Sequence, residues 1–125
     1  ESKVIDGVRA HSNAPLAGFT DLSLPELTAL AARASLFVGN DSGVAHVAAA
    51  AGAPQVVVFG SSNVAHWRPW TRGAAEVVRE EMACAPCAGY TCAEFGAPEC
   101  IRRVPAARVV EAVDRVLAAA GAARP

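Results

Sequence analysis

Apolar residues fall in short runs closed by glycine, and these runs alternate with stretches of helical period. Leu36-Phe37-Val38 ends at Gly39, and Gln55-Val56-Val57-Val58-Phe59 ends at Gly60; both have the length and composition of buried strands. The alanine-rich segment between them is long enough for a crossover helix, so the unit reads strand, helix, strand. Such a crossover returns the chain to the same end of the sheet, which makes the strands parallel and the unit right-handed. Ala75 to Arg79 reads as a further strand. Val104-Pro105 then opens a last helix, whose Val109, Val110, Val113, Val116 and Leu117 share one face for docking on the sheet.

Upstream, Val4 to Val8 reads as the end of a helix and His11 to Pro15 as a loop. Ser23-Leu24-Pro25-Glu26 has the capping-box form, with Pro25 in the first turn where its missing N–H costs little, and predicts a helix to about Ala34. The Ala-Gly-Ala-Ala-Arg-Pro end reads as a frayed tail. There is no internal repeat and no low-complexity linker. The fold class is therefore α/β, a Rossmann-like open parallel sheet with flanking helices, in one domain.

Composition narrows the function. With 125 residues, 53% hydrophobic and 18% charged, the chain can bury one core. Eleven basic against twelve acidic residues give a net charge of -1, and the arginines are scattered, so nucleic acid is not an expected partner. No run approaches the roughly 18 strongly apolar residues needed to span a bilayer, and the chain reads as soluble. It opens on Glu1-Ser2-Lys3, with neither an initiator Met nor a signal peptide, and the expectation is a fragment of a longer protein.

The segment with the most chemistry is Gly39-Asn40-Asp41-Ser42-Gly43-Val44-Ala45-His46, between a strand and the alanine-rich helix. Ligands of open α/β sheets bind outside the carboxyl ends of the strands. There a helix start offers free N–H groups and roughly half a positive charge, which suits phosphate. Gly39 and Gly43 let the backbone approach a ligand, Ser42 can donate its hydroxyl, and His46 lies one turn beyond Gly43. Asp41 would repel a diphosphate, so it caps the helix, holds a ribose hydroxyl or orients His46. The plainer reading leaves Asp41 as a cap only and His46 as an ordinary, partly buried histidine. A second loop, Gly60-Ser61-Ser62-Asn63, leaves the next strand at the same edge and adds hydroxyl donors. Trp67 and Trp70 could stack on a base or sugar, but read first as aromatics covering the core edge; His11 and His66 read as surface histidines.

The ordered set Phe37-Val38-Gly39-Asn40-Asp41-Ser42-Gly43, His46, Ala48-Ala49-Ala50, Val57-Val58-Phe59-Gly60 and Trp67-Arg68-Pro69 resembles the C-terminal half of glycosyltransferase family 9, the lipopolysaccharide heptosyltransferases. The Leu16 to Leu27 stretch and the stretch from Cys84-Ala85-Pro86-Cys87 through Cys92 to Cys100-Ile101-Arg102-Arg103-Val104 resemble it too, so the likeness covers residues 16 to 117. It implies a GT-B enzyme with two Rossmann-like halves facing a cleft, which moves heptose from ADP-heptose onto the inner core of lipopolysaccharide with inversion. Residues 1–125 would be part of the C-terminal, nucleotide-sugar-binding half, without the N-terminal half that holds the acceptor and the aspartate base. The family's Asp-Ser-Gly loop and following histidine carry donor-binding roles onto Asp41, Ser42, Gly43 and His46, and Gly60 and Ser61 join them at the same edge. No catalytic residue is expected within this fragment, and no cofactor is required. Many relatives have Pro-Met where this chain has Val44-Ala45, and Pro-Thr-Asp-Pro where it has Ser61-Ser62-Asn63-Val64; both departures bear on donor identity. The implied location is cytoplasmic, peripheral to the inner membrane, with the lipopolysaccharide acceptor reached through the other half.

Four cysteines remain. Cys84-x2-Cys87-x4-Cys92-x7-Cys100 can supply a tetrahedral zinc or iron site, though only the first pair has the usual metal spacing. A cytosolic location argues against disulfides. The set reads as reduced, unliganded cysteines, with a structural metal that braces the loop as the second reading. Two rivals to a transferase half stand beside it: a noncatalytic nucleotide-sugar-binding or scaffolding module of the same fold, and a metal-dependent assembly module.

Overall fold

A computed structural model of the chain describes residues 2–87, 89 and 91–122. In chain order the elements are α1 (Ser2–Ala10), α2 (Leu24–Arg33), β1 (Phe37–Asn40), α3 (Gly43–Ala50), β2 (Gln55–Phe59), α4 (Val64–Trp67), β3 (Ala75–Arg79), α5 (Glu99–Arg102) and α6 (Ala106–Ala122). The strands form one sheet in the order β1-β2-β3, parallel throughout. Phe37 pairs with Gln55, and Gln55 in turn with Ala75, so the three strands start level and release their loops at one edge. This is the Rossmann-like open sheet that the pattern of apolar runs predicts.

Alternation along β2 builds two cores. Val57 and Phe59 face Ala45 of α3, with Phe37, Val64 and Val77 packed alongside. Val56 faces the other way, against Val78, Ala112 and Val116, with Leu36, Val104, Val109 and Val113 around them. The helices therefore cover both faces, α3 and α4 on one and α6 on the other. Alanines at 45, 48 and 49 let α3 lie close to the sheet, and α2 packs on α3 in turn. The expected docking face of α6 needs correction: Val110 and Leu117 are exposed, and the stripe centres on Ala112 and Val116. α6 has only one sheet face to cover, so a stripe as wide as the five predicted positions has nothing to meet at its margins.

Helix α2 begins as predicted: the Glu26 carboxylate accepts from the Ser23 N–H at 2.8 Å and from the Ser23 hydroxyl at 2.5 Å, which lowers the carboxyl below its ordinary range. Gly52 follows α3 with φ of 80°, the left-handed turn that a helix end favours and that other residues adopt at a cost. β1 has no partner strand on its outer edge among the described residues. Among those residues, too, no helix is long and apolar enough to cross a membrane.

Two polar features carry predictions. The Arg115 guanidinium of α6 donates to both Glu76 carboxylate oxygens, at 3.0 and 2.5 Å, and holds that carboxyl below the usual range against the opposing effect of desolvation. A carboxyl depressed in the folded state contributes stability above its unfolded pKa, and that contribution is lost as pH falls through the folded value. Glu76→Gln is therefore expected to flatten the acid limb of the stability profile while costing only about 0.2–1 kcal/mol at neutral pH, because the pair is partly exposed. Denaturant midpoints across acidic pH would check this; an unchanged limb would contradict it.

Gln55 is 1% exposed, and neither of its side-chain amide atoms has a hydrogen-bond partner among the described residues. An unmatched buried amide costs more than an apolar side chain of similar shape. Gln55→Met is expected to leave stability unchanged or raise it by up to about 1 kcal/mol. A measured loss above about 1 kcal/mol would show that the amide is satisfied in solution.

Candidate functional site

Three loops leave the carboxyl ends of the strands: residues 41–42 after β1, 60–63 after β2, and 80–98 after β3. The first turns at once into α3. Asp41 N–H donates to the Val58 carbonyl at 3.0 Å, which ties the loop to β2, and Ala45 N–H closes the first helical bond on the Ser42 carbonyl. Ser42 is the N-cap residue, and its hydroxyl makes no capping bond. Among the described residues, the backbone N–H groups of Ser42, Gly43 and Val44 thus stand unpaired at the start of a helix, where the dipole adds partial positive charge.

Ser42, Gly43 and His46 are exposed and Asp41 is half-buried. A Cβ placed on Gly43 would meet no atom within 4 Å, so the space in front of the helix is open. His46 turns outward while its neighbour Ala45 is fully buried, and it is not the partly buried histidine of the plainer reading. The Asp41 carboxylate makes no hydrogen bond to the α3 backbone or to His46 among the described residues. Two of its three expected roles, cap and orienter, are thereby closed.

The second loop behaves differently from residue to residue. Gly60 is buried, and a Cβ there would fall 2.6 Å from Ile101 Cγ1, so a larger residue would push the Ile101 side chain of α5 away from the end of β2. Ser61, Ser62, Asn63 and Trp67 line a groove of about 590 Å³ together with Pro86 and Cys87 from the third loop. Asn63 Oδ1 accepts from Ala65 N–H at 3.0 Å and so caps α4, a one-turn helix that periodicity is too short to reveal but that the Asn63-Val64-Ala65 start signals. Trp67 is 59% and Trp70 82% exposed, so neither covers the core edge. Pro69 is the buried residue of that segment, because a crossover of a single turn is too short to fold both rings inward.

Among the described residues, the arginines at the end of β3 and beyond it are engaged. Arg79 donates to both oxygens of Glu81, which raises its own pKa and lowers that of the carboxyl. Arg108 of α6 holds Glu80 and the Arg79 carbonyl, each at 2.8 Å, and so fixes the exit of β3. Arg102 and Arg103 pair with Glu99, and Arg103 also lies over the Phe95 ring, 5.3 Å from its centroid. At the first loop the α3 N–H groups offer an anion partial positive charge. Asp41, Ser42, Gly43 and His46 do not line the groove at Ser61; the structure places them on the next strand end along the same edge.

All four cysteines are free thiols. Among the described residues, no three His, Cys, Asp or Glu side chains stand in metal-holding geometry.

The profile of glycosyltransferase family 9 (heptosyltransferase) matches residues 2–97. That is further upstream than the likeness read from motifs, and it stops before Cys100. Lipopolysaccharide heptosyltransferase 3 of Escherichia coli is 39% identical over 70 residues, which is 56% of this chain and 20% of that protein. The protein of the same name from E. coli strain K12 is 48% identical over 56 residues, 45% of this chain and 16% of its own. Lipooligosaccharide heptosyltransferase 2 of Campylobacter jejuni subsp. jejuni serotype O:2 is 30% identical over 82 residues, 66% of this chain and 25% of its own. The chain thus spans about a fifth of the length of the curated relatives it matches. No solved structure matches it. With the profile covering residues 2–97 of 125 and the strand-end loops in place, the chain belongs to glycosyltransferase family 9.

Proposed function

We propose that this chain is the donor-binding part of a GT-B glycosyltransferase that moves heptose from ADP-heptose to the inner core of lipopolysaccharide with inversion at the anomeric carbon. The observation that carries this reading is the open start of α3: three unpaired N–H groups behind an exposed Ser42, Gly43 and His46. The names of the heptosyltransferase relatives support the sugar.

The donor's diphosphate lies against the Ser42, Gly43 and Val44 N–H groups, with the Ser42 hydroxyl as a further donor. These fixed dipoles stabilise the negative charge that grows on the diphosphate as the glycosidic bond breaks. Asp41, an acceptor without a partner among the described residues, takes a hydroxyl hydrogen of the ribose or the heptose. His46, one turn into the helix, donates to the phosphate or the sugar. Ser61 and its groove border the same edge. Inverting transfer also needs a base for the acceptor's proton, and that base belongs to the N-terminal half of the full enzyme. The chain by itself binds the donor and does not turn it over. The enzyme works in the cytoplasm at the inner membrane, where its lipid-linked acceptor is made.

Calorimetric titration with ADP-heptose, ADP-glucose, UDP-glucose and GDP-mannose tests the assignment. Preference for the ADP sugars is the expected result; equal affinity for all four would contradict ADP-heptose as the donor.

A further inference from the structure

We propose that the groove between the second and third loops is a subsite for a neutral sugar ring, which stacks a C–H face on the Trp67 indole and hydrogen-bonds to Ser61, Ser62 and Asn63. The groove has a volume of about 590 Å³, room for a sugar ring. None of the described residues that line it is charged, while Ser61, Ser62 and Asn63 all carry hydrogen-bonding side chains. A phosphate finds no counter-charge on those walls; a polyol finds donors and acceptors. Trp67, at the end of α4, is 59% exposed, and Pro86 and Cys87 form the facing wall. An indole open to water beside hydroxyl groups suits a ligand with one apolar C–H face and a polar rim, which is what a pyranose presents.

The polar groups are available and the walls are held. Among the described residues, the Ser61 and Ser62 hydroxyls make no hydrogen bond. Asn63 Oδ1 is taken by the Ala65 N–H at 3.0 Å, which leaves the Nδ2 group to donate. The Trp67 N–H donates to the Asn63 carbonyl at 2.9 Å, so one helical turn carries both the amide and the indole. Cys87 N–H donates to the Ser61 carbonyl at 3.0 Å and ties the third loop to the second. The groove therefore stands as it is, and no loop has to move to form it.

Its place along the sheet edge relates it to the start of α3. β1 and β2 are neighbours, about 4.8 Å apart in a parallel ladder, and α3 and α4 cover the same face. The groove thus opens one strand along from the Ser42, Gly43 and Val44 N–H groups. A diphosphate lying on those groups brings its attached sugar to the groove, or meets there the sugar that receives the transfer. Both occupants have the same chemistry. The inference rests on the donor reading for its role, and on the lining residues for the groove itself.

Calorimetric titration of the chain and of Trp67→Ala with ADP, ADP-heptose and methyl heptoside is the test. Trp67 is exposed and outside both apolar clusters, so the variant should fold. If the groove takes the donor's sugar, Trp67→Ala weakens ADP-heptose by about tenfold and leaves ADP unchanged. If it takes the acceptor's sugar, the variant loses affinity for methyl heptoside, titrated with ADP present, and leaves both nucleotides unchanged. Either result supports the proposal, and Ser62→Ala should weaken the same ligand by a few fold. In Trp70→Phe, Trp67 is the only remaining tryptophan, and its fluorescence should shift with that ligand and not with ADP. Unchanged affinity of Trp67→Ala for all three ligands, or weakened binding of ADP itself, overturns the proposal. Failure of ADP to bind the parent chain contradicts instead the diphosphate at α3, and the methyl heptoside titration then decides the groove alone.

Discussion

Replacing Phe59 with alanine is expected to lower the free energy of unfolding by about 3–5 kcal/mol, the range for deleting a large buried aromatic side chain. Phe59 is fully buried at the end of the central strand, where it contacts the cluster of Ala45 and Val57 and is flanked by Phe37, Val64 and Val77. The lost contacts come from β1, β3, α3 and α4 as well as β2 itself, and the backbone of β2 is held by ladders on both sides, so the cavity has little freedom to collapse. Urea unfolding with an unchanged slope should report the loss as a shift of the midpoint. A cost below about 1 kcal/mol would mean that Phe59 is not the centre of this core.

Asp41→Ala and His46→Ala should each weaken binding of ADP-heptose by about ten- to a hundredfold, the equivalent of roughly 1.5–3 kcal/mol for one charge-assisted hydrogen bond. Both side chains lie outside the apolar clusters and neither is hydrogen-bonded among the described residues, so stability should stay within about 0.5 kcal/mol of the parent. The pairing of a large effect on affinity with almost none on unfolding separates these residues from Phe59. Unchanged affinity in both variants would remove the site from the start of α3.

What could be read before any coordinates depended on how many residues carried each signal. β2 and β3 were legible to the residue because runs of β-branched side chains bounded by glycine or loop residues have few other uses. α2 was legible from Ser23, Pro25 and Glu26, whose roles are local. The single-turn helices α4 and α5 were not, since their stability is tertiary: one rests on the Asn63 cap and the other on the fit of Ile101 over Gly60. The face of α6 was drawn through its large side chains, whereas Ala112, small and fully buried, marks where that helix comes closest to the sheet. At the candidate site, the position of the Asp41–His46 loop followed from strand order alone. Whether Asp41 caps the helix did not, because a helix with either residue 41 or 42 as its cap has the same letters; the observed N-cap is Ser42.

Mapping backbone amide signals of the chain by NMR as ADP-heptose is added addresses the central claim most directly. Shifts concentrated on Ser42, Gly43 and Val44, with His46 and Ser61 following, are the expected result. Saturable binding that leaves those three amides unmoved and perturbs another surface would contradict the placement of the donor's diphosphate at α3.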